Sequence, residues 1–333
     1  MIEPRASDER DLHALVEDFF RSGFSTDNEL IAEAARRMLN AGGKRLRPRI
    51  TLLAAQAMGG QASEQLALAA YMELIHVATL IHDDVVDGAA TRRGVNATAV
   101  DFGNRISVLA GDYLFAWIFK NVTANYPHPI PHILSATLAA ICDGEVLQLR
   151  AMGDADLSFE AYVEIVQKKT ATLFAASAEC GAIMGQPSLS YPSLGVRALR
   201  EFGMQYGIAF QMMDDLLDMT SNESALGKPV GNDLREHKVT LPLILARQSG
   251  DHALRRRVEA FFDSQLDDRE EQAEIAGLIA DIGRLGGFER THSAIRTYTE
   301  RAKLALGGLG PGENEAREAL ASLADRLVAP EKK

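Results

Sequence analysis

Two short aspartate-rich segments are the features of this sequence best suited to chemistry. Both have the spacing D-D-x-x-D at the end of an apolar run, and their members are Asp83, Asp84, Asp87, Asp214, Asp215 and Asp218. On a helix, the first and last aspartates of each segment are four residues apart and share one face. Such a face offers hard oxygen ligands to Mg²⁺, which completes its coordination with water and phosphate oxygens. The alternative is a solvated helix end, but charge beside apolar runs is costly and the pattern occurs twice, which favours metal binding.

Basic residues in glycine- and proline-containing segments suit a phosphate ligand. The segment AGGKRLRP places Lys44, Arg45 and Arg47 between two glycines and a proline that can begin a helix. Arg92 and Arg93 follow the first aspartate segment. Further lysines lie in KKTATLF and LGKPVGNDLREHK, at positions Lys168, Lys169, Lys228 and Lys238. Any one of these could be an ordinary basic surface segment. Together with the aspartates, they predict a site for two diphosphates or for one very highly charged ligand.

The sequence offers no nucleophilic triad and no protein general base, which favours a reaction driven by electrostatics. Loss of a metal-bound diphosphate would generate an allylic carbocation, while arginine and lysine side chains stabilise the leaving group. The departing diphosphate can itself accept the final proton.

Apolar residues recur at three- and four-residue intervals along most of the chain, which predicts an all-α protein. Several middle segments are apolar nearly all round and are predicted to be buried, whereas the more charged C-terminal segments are typical of surface helices. No linker or solenoid repeat is evident. Residues 1–333 are therefore predicted to form a single domain.

Local signals predict several helix ends. Ser63 is a candidate N-cap for the helix that leads to the first aspartates, and Gly88 follows the end of that helix. Ser158 is a candidate N-cap with Glu160 in the first turn. Alternating prolines in NYPHPIPH, Asn125–His132, predict an interhelical loop.

Composition limits the partners and the compartment. The net charge of −11 argues against a nucleic-acid partner. The only two cysteines, Cys142 and Cys180, lie in apolar segments, which indicates a reduced cytoplasmic protein. The N-terminus has no basic region before an apolar stretch, so we expect no signal peptide. No apolar run reaches membrane-spanning length, so we expect no transmembrane segment.

The motifs GGKRLRP, LIHDDVVD with RRG, FGN…SVLAGDYL, KKTATLF, FQMMDDLLD and GKPVGNDLREHKVTLPLI occur in this order from Ala41 to Ile244. This order resembles that of the trans-isoprenyl diphosphate synthases, the polyprenyl synthetase family. The resemblance implies an all-α helical bundle around a deep central cavity, assembled as a homodimer. It also implies head-to-tail condensation of isopentenyl diphosphate onto an allylic diphosphate such as farnesyl diphosphate, with three Mg²⁺ ions per active site.

The resemblance assigns roles to individual residues. It implies that Asp83 and Asp87 bind magnesium directly and that Asp84 supports them. In the second motif, it implies that Asp214 is a direct ligand and that the other two members act mostly through water, namely Asp215 and Asp218. The implied isopentenyl diphosphate site consists of Lys44, Arg47, His76 and Arg93. The implied allylic diphosphate site adds Arg92, Lys169, Lys228 and Lys238. Polar side chains that face the developing cation would be Thr170 and Gln211, beside Lys169. Two positions depart from the family pattern, because His237 replaces a usual glycine and Met219 replaces a common aromatic residue.

The helix before the first aspartates predicts the length of the product. Residues four, five, eight and twelve positions before Asp83 are Thr79, Ala78, Ile75 and Tyr71. In short-chain relatives bulky aromatic residues at the first two positions close the cavity, whereas Ala78 and Thr79 are small. Tyr71 lies about 18 Å along the helix from Asp83. We therefore predict an all-trans octaprenyl to decaprenyl product, with decaprenyl marginally preferred, destined for quinone side chains.

Several alternatives stay open. The chain could be a geranylgeranyl or hexaprenyl synthase, or a non-catalytic subunit of a heteromeric synthase, although such subunits tend to lose an aspartate motif. A terpene cyclase would lack GGKRLRP, and a lipid-binding bundle would not need six aspartates with basic loops. Transient contact with a membrane during product release is a further hypothesis.

Overall fold

The computed structural model describes residues 14–20, 24, 26–92, 94–186, 191–221, 230–250, 252–310 and 315–328. Residues 14–20 are helical. The following α-helices are numbered in chain order: α1 Glu29–Asn40, α2 Leu46–Ala57, α3 Leu66–Val86, α4 Thr98–Asn125, α5 Ile130–Ala151, α6 Phe159–Val166, α7 Thr172–Gly185, α8 Leu194–Thr220, α9 Asn232–Arg235, α10 Leu241–Arg247, α11 His252–Phe262, α12 Asp268–Arg284, α13 Gly287–Ala305 and α14 Glu315–Val328.

Other regular elements are short. A π-helical turn, Gln167–Ala171, joins α6 to α7, and two 3₁₀ helices occupy Ala62–Gln65 and Leu306–Leu309. Strands β1 (Thr91–Arg92) and β2 (Val95–Asn96) form an antiparallel hairpin that follows the first aspartates. The prediction of an all-α protein is confirmed, since this hairpin is the only sheet in the described part of the chain.

The predicted helix ends are partly right. The Ser158 side chain accepts a hydrogen bond from the Ala161 amide at 3.1 Å and caps α6 as predicted. The Ser63 prediction is wrong, because Ser63 lies inside a 3₁₀ helix and α3 begins three residues later, behind Gln65. Gly88 follows the end of α3 with φ 63°, a left-handed conformation that glycine adopts without steric cost.

The proline-containing loop is shorter than its sequence suggests. Helix α4 continues to Asn125 and α5 already begins at Ile130, so only residues 126–129 connect them. Pro131 fits inside the first turn of α5, where the missing amide hydrogen would have had no helical partner. The prolines of NYPHPIPH therefore exclude helical structure over fewer residues than their number predicts.

The chain divides into two compact units, and the first comprises Met1–Thr137, Leu173–Gly203 and Ala305–Ala321. Within it, α3 packs against α2 and α4, and α1 packs against α4. Helix α3 is apolar nearly all round and is buried accordingly. Helix α4 bends at Gly103, whose φ of 77° and ψ of 157° are not helical. The first aspartate segment is thus held at the end of a core helix.

The second unit comprises Leu138–Thr172, Met204–Leu304 and Ser322–Lys333. Its core is a cluster of buried apolar side chains from α6, α8 and α10 to α13, including Ile208, Met212, Leu216, Leu243, Leu278 and Ile295. A capping box at Asp267 and Glu270 fixes the start of α12. Our expectation that residues 1–333 form one domain stays a prediction.

Two helical stretches, Ala62–Val86 and Ile130–Ala151, are long and apolar enough to cross a membrane by length and composition alone. This corrects our expectation that none would be. The first stretch is 67% buried, as expected of a core helix, whereas the second is only 22% buried. Much of the apolar surface of α5 is therefore exposed.

Candidate active site

The first aspartate segment ends helix α3 and separates its members by burial. The Asp84 side chain is completely buried, whereas Asp83 and Asp87 are partly exposed. The Asp87 amide donates to the Asp83 carbonyl oxygen at 2.7 Å in the last helical turn. Two partly exposed carboxylates therefore share one face, in agreement with their predicted role as direct metal ligands, which stays a prediction.

Arg92 on the following hairpin is the partner of the buried Asp84. Its Nε donates to Asp84 Oδ1 at 2.7 Å, and its Nη2 lies 2.6 Å from the same oxygen. The hydrogen bond from the Ala89 amide to the Asp84 carbonyl oxygen, at 3.0 Å, closes the turn between them. Asp84 thus anchors the hairpin, and Arg92 makes a protein contact in addition to its predicted contact with the allylic diphosphate.

The basic segment before α2 contains one structural arginine. Arg45 is buried, and its guanidinium contacts Glu17 Oε1 at 2.7 Å, Glu73 Oε1 at 3.1 Å and the Leu39 carbonyl oxygen at 2.7 Å. Because these contacts use the guanidinium, Arg45 holds the segment in place, and the idea that it contributes to a phosphate site is wrong for this conformation.

The other members of the predicted isopentenyl diphosphate site differ in environment. Lys44 is exposed, and Arg47 is buried in the first turn of α2 with its guanidinium 4.4 Å from the Phe174 ring centroid. His76 is partly buried in the middle of α3, where its carbonyl oxygen accepts from the Thr79 hydroxyl at 2.8 Å. Their role in binding stays a prediction.

The second aspartate segment lies near the end of α8, in the second unit, and only Asp214 is exposed. Asp218 is buried, and its Oδ2 accepts from the Asp233 amide at 3.1 Å, which holds the first turn of α9. Asp215 is buried and accepts from two side chains of the second unit. Asp214 is thus the member placed to reach a ligand, while the other two serve the protein itself. Their contact with metal through water stays a prediction.

Asp215 belongs to a continuous hydrogen-bond network. Its Oδ2 accepts from the Tyr162 hydroxyl at 2.6 Å, and its Oδ1 accepts from Gln211 Nε2 at 2.8 Å. The Thr170 hydroxyl donates to Gln211 Oε1 at 3.0 Å. Burial raises the pKa of Asp215 to about 6, and the two hydrogen bonds oppose that rise. The network joins both predicted cation-facing residues, Thr170 and Gln211, to a tyrosine that the sequence did not reveal.

A π-helical turn presents Lys169 and Thr170. Gly144 of α5 lies against this turn so closely that a Cβ there would be 2.5 Å from the Lys169 backbone nitrogen. The neighbouring Glu145 carboxylate lies 2.5 Å from Lys169 Nζ. Such π turns occur frequently at functional sites. Glu145 is the second residue that our sequence reasoning missed, although an acid inside the apolar segment ILSATLAAICDGEVLQL was a usable signal.

The loop that carries Lys238 explains one departure from the family pattern. His237 has φ 55°, the left-handed conformation for which glycine is the usual residue. Its ring lies 4.8 Å from the Phe262 ring and 6.2 Å from the Phe261 ring, and its carbonyl oxygen accepts from the Gly153 amide at 2.9 Å. Lys238 Nζ lies 2.6 Å from Glu236 Oε2. Aromatic packing thus compensates for the unfavourable backbone. Met219, the other departure, is a buried core residue.

We expect replacement of His237 to reveal both the stabilisation from its ring contacts and the cost of its left-handed backbone. His237→Ala should lower the free energy of unfolding by about 1 kcal/mol, because the ring contacts are lost while the left-handed backbone stays costly. His237→Gly loses the same contacts but removes the backbone cost, so it should be about 1 kcal/mol more stable than the alanine variant. Urea denaturation of both variants measures the difference, and an alanine variant as stable as the glycine variant would contradict it.

The residues predicted to set product length lie on α3 in the first unit. Ile75 and Ala78 are fully buried and Thr79 is partly buried. The Tyr71 ring packs edge-on against three aromatic rings, with centroid distances of 5.9 Å to Phe19, 5.6 Å to Trp117 and 6.3 Å to Tyr126. Tyr71 thus belongs to an aromatic cluster, which its position in the sequence did not indicate.

Two predicted ligands, Arg93 and Lys228, lie outside the described residues. Among the described residues, the structure brings together Asp84 with Arg92, and Thr170 with Gln211 and Asp215. No three His, Cys, Asp or Glu side chains of this described part form a ready-made metal cluster. The donors nevertheless fit Mg²⁺, since that ion takes one or two carboxylates and fills its other positions with water and substrate phosphates.

Helical architecture, two aspartate segments and cationic side chains are together typical of proteins that process diphosphates with divalent metal ions. The sequence profile of the family described as polyprenyl synthetase matches residues 28–279. The chain belongs to the polyprenyl synthetase family and is a prenyltransferase. The resemblance seen in the sequence is confirmed, and members of this family use divalent metal ions.

Three relatives illustrate the similarity. The chain is 36% identical over 307 residues, 91% of each chain, to a short chain isoprenyl diphosphate synthase of Methanothermobacter thermautotrophicus. It is 36% identical over 316 residues to an all-trans-nonaprenyl-diphosphate synthase (geranyl-diphosphate specific) of Rhodobacter capsulatus, covering 93% of this chain and 92% of the relative. A crystal structure of polyprenyl synthase from Caulobacter crescentus, complexed with calcium and isoprenyl diphosphate, is 36% identical with a TM-score of 0.86 and covers 98% of this chain and 95% of that one. Relatives thus include both short-chain and long-chain enzymes.

Proposed function

We propose that this trans-prenyl diphosphate synthase makes a long all-trans product of octaprenyl to decaprenyl length, with decaprenyl slightly preferred, for quinone side chains. The observation that carries the proposal is the pair of small residues, Ala78 and Thr79, that precede Asp83 on the buried helix α3. Bulky residues there would leave no room for a growing chain, whereas the first large aromatic group on this face is Tyr71, about 18 Å from Asp83.

The proposed reaction needs little covalent chemistry from the protein. The C–O bond of the allylic diphosphate breaks and its electron pair leaves with the diphosphate. The double bond of isopentenyl diphosphate then attacks the allylic cation, and the new tertiary cation loses a proton to the released diphosphate. Bound Mg²⁺, proposed as three ions, would supply Lewis-acid stabilisation of the leaving group. No protein nucleophile is required.

Within this scheme the side chains have the roles that the resemblance to the family implies. Asp83 and Asp87 offer partly exposed carboxylates for the metal ions of the allylic diphosphate, and Asp214 offers one from the second motif. Lys169 and Lys238 compensate diphosphate charge, as do residues Arg92, Arg93 and Lys228. Isopentenyl diphosphate binds Lys44, Arg47, His76 and Arg93 in this proposal. Thr170 and Gln211 direct oxygen dipoles toward the developing cation, where fixed dipoles are most effective.

A product assay tests the proposal. Purified protein is incubated with farnesyl diphosphate, labelled isopentenyl diphosphate and Mg²⁺, and the dephosphorylated products are resolved by length. We expect a ladder that ends in one long all-trans alcohol. A product that stops at geranylgeranyl length would keep the reaction but overturn the long-chain proposal. No incorporation with any allylic primer would support the alternative of a non-catalytic subunit.

We also propose a cytoplasmic homodimer. The support is exposed apolar surface on two helices: Val108 and Leu109 on α4 are 39% and 53% exposed, and Val146 and Leu149 on α5 are 47% and 44% exposed. Isolated exposed apolar residues are common. Repeated ones along a helix that is mostly exposed indicate a surface that a second copy of the chain covers. Release of the apolar product at a membrane surface is a further hypothesis, which stimulation of turnover by phospholipid vesicles would test.

Replacing Val146 by glutamate tests the dimer. We expect Val146→Glu to convert a dimer to a monomer at micromolar concentration, because a charge would be buried without a partner at the interface. Light scattering coupled to size exclusion measures the mass. Leu266→Glu is the matched control, since Leu266 is similarly exposed, at 40%, on the loop between α11 and α12. If both variants are dimers, the interface lies elsewhere. If both are monomers, there is no such interface.

A further inference from the structure

The side chain of Gln211 lies between an anion and a hydroxyl. Its Nε2 donates to Asp215 Oδ1 at 2.8 Å, and its Oε1 accepts from the Thr170 hydroxyl at 3.0 Å. The other oxygen of Asp215 accepts from the hydroxyl of Tyr162 at 2.6 Å. We propose that Tyr162 is a positioning residue for prenyl transfer, which fixes the direction of the Gln211 amide through Asp215. This inference rests on the proposed function, since it assumes that Gln211 faces the reacting cation.

Both oxygens of Asp215 accept hydrogen bonds, and the contact of Oδ1 with Nε2 determines which way the amide of Gln211 points. If the amide turned over, its oxygen would face Asp215 Oδ1 and two acceptors would repel each other. With Nε2 on Asp215, the oxygen is directed to Thr170, and its second lone pair remains available to positive charge. The carbonyl dipole is then oriented before the reaction begins, which is the condition for electrostatic catalysis.

Tyr162 limits the alternatives open to Asp215. Both side chains are buried, with 4% of each exposed, so their contact is shielded from bulk solvent. The Tyr162 hydroxyl is the donor in this contact, because the carboxylate oxygen accepts. With one oxygen held by Tyr162, the carboxylate presents its other oxygen to Gln211 in a fixed direction. Loss of the phenol would let the carboxylate rotate and would loosen the amide.

The position of Thr170 is held by a further contact. It lies in the π-helical turn Gln167–Ala171, against which Gly144 packs closely. This turn continues directly from α6, which carries Tyr162, so both donors reach α8 from one continuous helical segment. The four side chains form one hydrogen-bond network that converges on Asp215, since Tyr162 and Gln211 both donate to its carboxylate and Thr170 donates to Gln211.

Steady-state kinetics of Tyr162→Phe test the proposal. We expect kcat to fall about tenfold, as for loss of one hydrogen bond that orients a catalytic group, while both KM values and the Mg²⁺ concentration for half activity change less than about twofold. Tyr206→Phe is the matched control, since it removes the hydroxyl of another fully buried tyrosine and should leave kcat near the wild-type value. Urea denaturation establishes that both variants are folded under assay conditions.

A double-mutant cycle separates positioning from a structural role. If Tyr162 acts through Gln211, Tyr162→Phe should lower kcat no further in a Gln211→Ala background. Additive losses would overturn the proposal. So would a rise in the Mg²⁺ requirement at unchanged kcat. If Tyr162→Phe does not fold, Tyr162→Met replaces it, because methionine also fills a buried apolar site but has no hydroxyl to donate. The same loss confined to kcat is expected there, and a normal kcat would overturn the proposal. Inactive wild-type protein would instead contradict the proposed function.

Discussion

Asp83→Asn is expected to lower kcat for incorporation of isopentenyl diphosphate by about 10³-fold, the largest effect that we predict for one carboxylate. The change keeps the size of the side chain but removes the negative charge that a magnesium ion of the allylic diphosphate would require. Asp83 is partly exposed at the end of α3, so the protein should fold normally. Initial rates at several Mg²⁺ concentrations measure the effect, and thermal unfolding checks the fold.

The control for this variant is Asp325→Asn. Asp325 is an exposed aspartate that contacts Lys303 Nζ at 2.9 Å on the second unit, and its neutralisation should leave the rate within about twofold. A normal rate for Asp83→Asn, with or without excess Mg²⁺, would contradict the assignment of Asp83 as a metal ligand. Partial recovery at high Mg²⁺ would support it, because weaker binding is then compensated by concentration.

Ala78→Phe is expected to shorten the product from the long-chain class to a short chain. Ala78 is completely buried on α3, five residues before Asp83, and a phenyl group there would fill the space proposed for the growing chain. The cost of overpacking is about 1–3 kcal/mol of unfolding free energy, so the variant should remain folded while its product distribution changes. Separation of the dephosphorylated products by length measures the outcome.

Val77→Phe provides the comparison for this experiment. Val77 is the preceding residue and is equally buried, but on a helix it points about 100° away. It should lower stability without shortening the product. If both variants shorten the product, general disturbance of α3 explains the result. If Ala78→Phe leaves the distribution unchanged, chain length is not limited on this face, and the aromatic cluster around Tyr71 becomes the first place to look for a limit.

The family and the reaction could be predicted from sequence because the aspartates and basic residues recur at fixed local spacings. The spacing D-D-x-x-D places Asp83 and Asp87 on one helix face whatever the rest of the chain does. Helical content was predictable for the same reason, since periodic apolar residues report burial directly. Ser158 was recognised as an N-cap because a cap depends on residues within one turn. These features arise from contacts between residues that are close in sequence.

Differences between members of one motif were decided by tertiary structure. Sequence gives Asp214, Asp215 and Asp218 equal status, yet only Asp214 is exposed, while Asp215 meets Tyr162 from a helix 53 residues earlier in the chain. In the same way, Asp84 binds Arg92 and Lys169 lies beside Glu145. Whether a charged residue binds a ligand or another part of the protein depends on which oppositely charged or donor groups the fold brings within about 3 Å of it. Sequence spacing does not contain that information.

The backbone conformation likewise depends partly on local sequence and partly on residues distant in the chain. The sequence NYPHPIPH predicts a proline-rich loop, but Pro131 lies in the first turn of α5. A residue there needs no backbone N–H, because that group would have no helical acceptor. His237 violates the usual preference for glycine, and the reason lies in Phe261 and Phe262, which come from a helix later in the chain. Sequence by itself determined the helices, the carboxylate pairs and the family. Only the tertiary structure decided which carboxylates face outward and which residues position them, because burial and hydrogen-bond partners come from residues distant in the chain.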